Sequence, residues 1–153
     1  MNFYVRLVLF LIINFGALWI GTILMNDGPR TDWYLNLDKA PWTPPGWVFG
    51  FAWTTVMICF SIYMAKLTEA KNNKIILLLF AIQFVLNVSW NYVFFNQHDV
   101  SLGMINLIVL FGLIAVMTIK FRPQLKIYTI FILPYFLWLI VANSLNGYIL
   151  YTN

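Results

Sequence analysis

The chain has 153 residues, 62% of them hydrophobic, only 9% charged, and a net charge of +4. A soluble domain carries about 25% charged residues, so a surface this poor in charge excludes a water-soluble globular protein. The composition instead points to an all-α integral membrane protein, and the small positive balance reads through its placement along the chain rather than as a nucleic-acid signal.

Crossing about 30 Å of hydrocarbon takes about 20 apolar residues in a helix. Five runs of that kind occur, at approximately 5–25, 47–66, 74–95, 102–119 and 127–151. Short connections join them, apart from the loop 26–46. The expected architecture is therefore one domain, a single bundle of five transmembrane helices. The first run is too long for the apolar core of a cleavable signal, and no small-x-small site closes it. It carries Ala17 and Gly21, a small-xxx-small pair that lets backbones approach, within the bundle or in a dimer. Asn14 is alone on this helix and reads as an amide that joins helices.

The long loop ends in Trp42-Thr43-Pro44-Pro45-Gly46-Trp47. Two adjacent prolines cannot lie inside a helix, since each lacks a donor and clashes with the preceding turn. They form an extended lead-in, and Pro45 or Gly46 then opens the second helix. Flanking tryptophans suit a membrane interface. Within the second run, Cys59 is the one cysteine, so no intrachain disulfide forms and the thiol reads as filler.

In the third run Gln83, Asn87 and Asn91 are spaced by four and share one helical face, with Trp90 and Phe94 beside it. His98 and Asp99 follow in a short loop, where the one histidine reads as a solvated polar residue. Gly103 and Asn106 lie in the fourth run, Asn106 again as an interhelical amide. In the fifth, Pro134, Trp138, Ala142 and Asn146 repeat at intervals of four. Asn87 and Trp138 read equally as helix-joining groups and as groups that face a ligand.

Charge placement orients the bundle. Arg6, Lys66, Lys71, Lys74, Lys120, Arg122 and Lys126 fall on one side, and only Arg30 and Lys39 on the other. By the positive-inside rule the N-terminus is expected inside and the C-terminus outside. The loop 26–46 then lies outside.

No Asp, Glu, Lys, Arg or His falls in the middle of a run, which counts against proton-coupled transport. The sequence offers no metal-ligand spacing, no phosphate loop and no hydrolytic triad, so no cofactor or metal is expected. What the spans do hold is aromatic rings with a few amides, among them Phe49, Trp53, Trp90, Phe94, Tyr135 and Trp138. That combination suits a flat hydrophobic ligand with one or two polar handles. Ordinary lipid-facing rings are the alternative, and Tyr4 and Tyr151 read that way.

Trp33-Tyr34, Leu37, Lys39, Trp42-Thr43-Pro44-Pro45-Gly46 and Trp53 resemble the first loop and second helix of the translocator protein family. This is the tryptophan-rich sensory protein and peripheral benzodiazepine receptor group. Leu86-Asn87, Trp90 and Phe94-Phe95 resemble its third-helix motif. Pro134-Tyr135, Trp138, Ala142 and Leu145-Asn146 resemble its fifth. The resemblance spans nearly the whole chain and implies a five-helix bundle, often a homodimer, with a pocket under the first loop.

Porphyrins, sterols and benzodiazepine-type ligands are the implied ligand classes, with a porphyrin as ligand rather than cofactor. The implied lid is Trp33, Tyr34 and Trp42 with Gly46. The implied ligand-facing residues are Phe49, Trp53, Asn87, Trp90, Asn91, Phe94, Tyr135, Trp138 and Ala142. Light-dependent porphyrin degradation is reported for some bacterial members, and the tryptophans implicated there correspond to Trp53 and Trp138. A bacterial membrane is the expected location. Three departures stand out. Lys39-Ala40-Pro41-Trp42 shifts the family's proline by one position. Asn91 and Tyr92 replace smaller or proline residues and narrow the expected pocket. No Lys or Arg follows Tyr148 or Tyr151, so sterol recognition is expected to be weak or absent. Binding, catalysis, facilitated transport and a purely structural role all remain open at this level.

Overall fold

The computed structural model describes residues 1–71 and 73–153. Among them, five helical segments are long and apolar enough to cross a membrane. Helices answer the physical problem set by the composition, because in hydrocarbon every backbone N–H and C=O must be paired within its own segment. The first spanning helix, α1, covers Phe3–Leu24. Asn2 caps it, its side-chain oxygen accepting from the Val5 amide at 3.0 Å. The short helix α2, Asp32–Leu35, lies in the long loop and is capped by Thr31.

Helix α3 spans Gly46–Ala70 with Pro45 as its cap residue. Of the two starting points the prolines allow, Gly46 is the first helical residue. Helix α4, Lys74–Asn91, is capped by Asn73. It does not continue regularly to residue 95. Tyr92–Asn96 widens into a π-type turn, closed by the Gln97 amide donating to the Tyr92 carbonyl at 3.0 Å. That extra residue per turn brings Phe94 and Phe95 to the interior, where both are buried. Helix α5, Val100–Lys120, is capped by Asp99 and followed by the one-turn helix α6, Arg122–Leu125.

The fifth span departs from the expected continuous helix over 127–151. Lys126–Ile132 is a tighter 3₁₀ segment, and α7 proper runs Leu133–Thr152. The cause is Pro134. It has no N–H to give the carbonyl four residues back, so it fits only in the first turn of a helix.

Helix α3 is the centre of the bundle. Phe60, Tyr63, Met64, Ala65 and Leu67 are fully buried. It packs on α1, α7 and the 3₁₀ segment, while α5 packs on α4 and α7. The Tyr63 hydroxyl donates to the Met117 carbonyl at 3.0 Å, tying α3 to α5. The outward residues are apolar: Ile12, Trp19, Ile105, Val116 and Leu137 are all exposed, as a lipid-facing surface requires. Tyr4 and Tyr151 are also exposed, as the sequence suggested.

The lone amides join helices. Asn14 donates to Ser61 at 2.8 Å across α1 and α3, and Asn106 donates to Ser89 at 2.9 Å across α5 and α4. The small residues serve the bundle interior. Ala17, Gly21 and Gly103 are buried, and a Cβ on Gly21 would lie 2.6 Å from the Asn91 side chain.

Candidate functional site

Two aromatic clusters receive most of the residues that the sequence singled out. The inner one forms where α3, α4 and α7 meet. Trp53 and Trp138 stand edge to face with ring centroids 6.5 Å apart. Phe49 meets Trp138 at 5.4 Å, and Trp53 meets Tyr135 at 6.0 Å. Residues 49 and 53 are one turn apart on α3, and Tyr135 and Trp138 one turn apart on α7, so regular helices suffice to converge them. Ala142, one turn beyond Trp138, is half-buried against the same core.

Polar groups at this cluster are few and directed. The Tyr135 hydroxyl accepts from Asn87 Nδ2 at 2.8 Å and donates to Gln83 Oε1 at 2.8 Å. Two of the three amides on the α4 face are thereby held to α7. Trp138 is 9% exposed, and its Nε1–H is buried with no hydrogen-bond partner among the described residues. Such an orphaned donor is costly, because the indole has been stripped of water without a replacement acceptor.

The outer cluster lies between α2 and the end of α4. Trp33 stacks on His98 with centroids 4.1 Å apart and meets Phe94 at 5.5 Å. Tyr34 packs on Phe95 at 5.4 Å. Burial pushes the Tyr34 phenol up from its ordinary value. Trp90 stacks on Phe94 at 4.9 Å and also touches the main core, so it links the two clusters. Its Nε1 donates to Asn146 at 3.2 Å, and Asn146 in turn donates to the Val100 carbonyl at 3.1 Å.

The remaining candidates lie elsewhere. Trp42 is exposed and rests on α7, its Nε1 donating to Ser144 at 3.1 Å and its ring meeting Tyr148 at 5.5 Å. Gly46 is exposed, with open space where a Cβ would stand. Asn91 packs against Gly21 of α1 and donates to the Asn87 carbonyl at 3.3 Å. Tyr92 is exposed. A groove of about 560 Å³ runs beside the outer cluster, lined by Trp33, Leu37, His98, Asp99, Ile149 and Asn153 among others.

The loop over the bundle is fastened at several points. Lys39 Nζ donates to the carbonyls of Tyr34, Leu35 and Leu37 at 2.7, 3.2 and 3.0 Å, closing the C-terminal end of α2. Asn153 holds Asp38 from both sides, accepting from its amide at 2.9 Å and donating to its carbonyl at 3.0 Å. Thr43 donates its hydroxyl to the carbonyl of Ala40, which is buried beside the displaced Pro41.

Residues 8–152 match the sequence profile of the TspO/MBR family. The chain belongs to the TspO/MBR family. It is 32% identical over 129 residues to the tryptophan-rich protein TspO of Chlorobaculum tepidum, covering 82% of each chain. Its identity to protein CrtK of Rhodobacter capsulatus is 32% over 118 residues, covering 74% of each. To the human translocator protein it is 27% identical over 124 residues, covering 78% of this chain and 73% of that one. With its five apolar helices, this TspO/MBR member is an integral, multi-pass membrane protein.

Gln83, Phe95, His98 and Asn146 take part in these clusters without having been picked as site residues. Gln83 and Asn146 stood in the four-residue rows, so periodicity was the available signal. Phe95 stood in the third-helix motif that carries the resemblance, and His98 gave no signal. Phe95 turns inward through the π-type turn, and His98 reaches Trp33 from a backbone φ of +57°, which a non-glycine residue rarely adopts.

Proposed function

We propose that this TspO/MBR protein binds porphyrin-type tetrapyrroles, and other flat hydrophobic molecules, at the inner aromatic cluster, acting as a sensor, scavenger or carrier. The unpartnered Trp138 Nε1–H carries this reading. A buried donor among Phe49, Trp53 and Tyr135 offers one directed bond inside an otherwise apolar surround. That matches a flat ring system bearing a carbonyl or carboxylate. Asn87, Ala142 and Trp90 would form the surrounding wall, with the outer cluster at Phe94 beyond Trp90, and with Trp33, Tyr34, Trp42 and Gly46 as the lid. The names of the relatives, a sensory protein and translocator proteins among them, agree with a ligand-handling role.

The ligand would enter beneath the loop, between Trp53 and Trp138. The placement of basic residues supports an N-terminus inside and a lid outside, and the bacterial relatives favour a bacterial membrane. The exposed apolar helix faces are compatible with a homodimer.

Titration of the detergent-purified protein with protoporphyrin IX, followed by tryptophan quenching, tests the reading. Trp138→Phe keeps an aromatic ring and removes the donor. It is expected to weaken binding roughly tenfold, the worth of one hydrogen bond of about 1.4 kcal/mol. Identical titration curves for variant and wild type would sink it.

The 6.5 Å approach of Trp53 to Trp138 favours a second reading, light-dependent porphyrin degradation with dioxygen as oxidant and these rings relaying electrons. Under illumination the wild type should bleach bound porphyrin faster than Trp53→Phe and Trp138→Phe at equal occupancy. Equal rates, matching free porphyrin, would exclude that role.

A further inference from the structure

At the end of the bundle opposite the lid, charge is strongly one-sided. Seven of the nine Lys and Arg residues lie there, against the single acidic residue Glu69. The one ion pair among the described residues uses Glu69 on Lys66, at 3.1 Å. Lys66 is further satisfied by two rings, its Nζ lying 4.1 Å from the Phe3 centroid and 5.1 Å from that of Tyr128. The other cations at this end have no carboxylate partner among the described residues.

Three of them are grouped on the elbow between α5 and α7. Phe121 and Leu125 are buried and pin α6 to the bundle. Lys120, Arg122 and Lys126, at the end of α5, in α6 and just after it, are all exposed. Lys126 takes a left-handed φ of +51° at the point where the chain turns into the 3₁₀ segment. On either side of these cations stand large apolar residues with nothing covering them. Ile119 and Ile127 are each 75% exposed and Ile130 is 55% exposed.

We propose that this elbow is a binding site for an anionic phospholipid. The headgroup phosphate lies among Lys120, Arg122 and Lys126, and an acyl chain runs along Ile119, Ile127 and Ile130. Charge complementarity selects an anion, since the protein supplies almost no negative charge at this end. The neighbouring isoleucines select a lipid over a soluble phosphate, because only a lipid engages both the cations and the apolar flank. Each basic residue near an anionic surface favours an anionic headgroup by roughly fivefold, and Arg122 can in addition grip a phosphate with two parallel donors.

Native mass spectrometry of the full chain, equilibrated with equimolar phosphatidylglycerol and phosphatidylcholine, reads this directly. The wild type should retain phosphatidylglycerol preferentially. The triple variant Lys120→Gln/Arg122→Gln/Lys126→Gln should lose that preference by roughly tenfold or more, and Arg122→Gln alone, at an exposed position that does not endanger folding, should lose part of it. Lys71→Gln/Lys74→Gln removes charge from the same end but leaves the elbow intact, and should retain the preference. Equal loss in both multiple variants would overturn the site in favour of a diffuse field. So would full retention in the triple variant. Displacement of the bound lipid by excess glycerol phosphate would show a soluble-anion site instead.

Discussion

Tyr135→Phe is expected to lower the unfolding free energy by about 1–3 kcal/mol, although it removes a single oxygen atom. The Tyr135 ring is fully buried, and its hydroxyl is at once the acceptor for Asn87 and the donor to Gln83. Without it, both of these amides lose their partner across to α7. Neither is exposed to water, with Gln83 at 2% and Asn87 at 7%. Interhelical bonds inside membranes average about 0.6 kcal/mol and reach about 1.7. Two such bonds give the lower part of the expected range, and the stranded amides give the upper part.

Residues 83 and 87 are one turn apart on α4, so a direct bond between the two amides recovers some of the loss. The double variant Gln83→Leu/Tyr135→Phe removes an orphan along with its partner, and should cost less than the two single changes added together. Unfolding in mixed micelles of mild detergent and dodecyl sulfate measures all three. A Tyr135→Phe protein as stable as wild type would show that this network does not hold α4 to α7.

That network also shows what the sequence reveals and what it withholds. Four-residue spacing placed Gln83, Asn87 and Asn91 on one face, and helical geometry guarantees as much. Spacing did not say which neighbour each amide meets. Gln83 and Asn87 meet α7, whereas Asn91, one turn further on, meets Gly21 of α1. The five spans were legible because hydrocarbon thickness sets a length and leaves an apolar run. Their irregular ends were less so. Pro134 announces a helix start but not the 3₁₀ segment before it, and nothing in Tyr92–Asn96 announces a wide turn. Trp33 and Trp42 illustrate the same limit within one loop. Both lie in the loop that the resemblance marks as a lid, and each has its own anchor: Trp33 stacks on His98 and Trp42 rests on α7. Sequence proximity is a poor guide where a loop has no period. The crowding of cations at one end, in contrast, is a property of the chain order itself.

Gly21→Val should be among the most damaging single substitutions on α1, and its effect should depend on a residue in another helix. A Cβ at Gly21 would lie 2.6 Å from Asn91 Nδ2, closer than real Cβ atoms approach, and a tight 3.2 Å from Asn91 Cγ. Alanine forces the Asn91 amide to swing away, at the cost of its bond to the Asn87 carbonyl. Valine adds two methyl groups and leaves no such escape, so α1 and α4 must separate. Overpacking of this kind costs about 1–3 kcal/mol. Shortening the opposing side chain restores the room, and Gly21→Val/Asn91→Ala should therefore be more stable than Gly21→Val alone. Gly16 supplies the contrast on the same helix. Nothing lies within 4 Å of a Cβ there, so Gly16→Ala should be neutral, or stabilising by up to about 1 kcal/mol through helix propensity. The same micelle titration reads each variant, with crosslinking as a check on self-association. If Gly21→Val instead lowers crosslinking while leaving the unfolding curve unchanged, the small residues of α1 serve a contact between chains. If Asn91→Ala fails to rescue, the close approach of α1 and α4 does not depend on this pair.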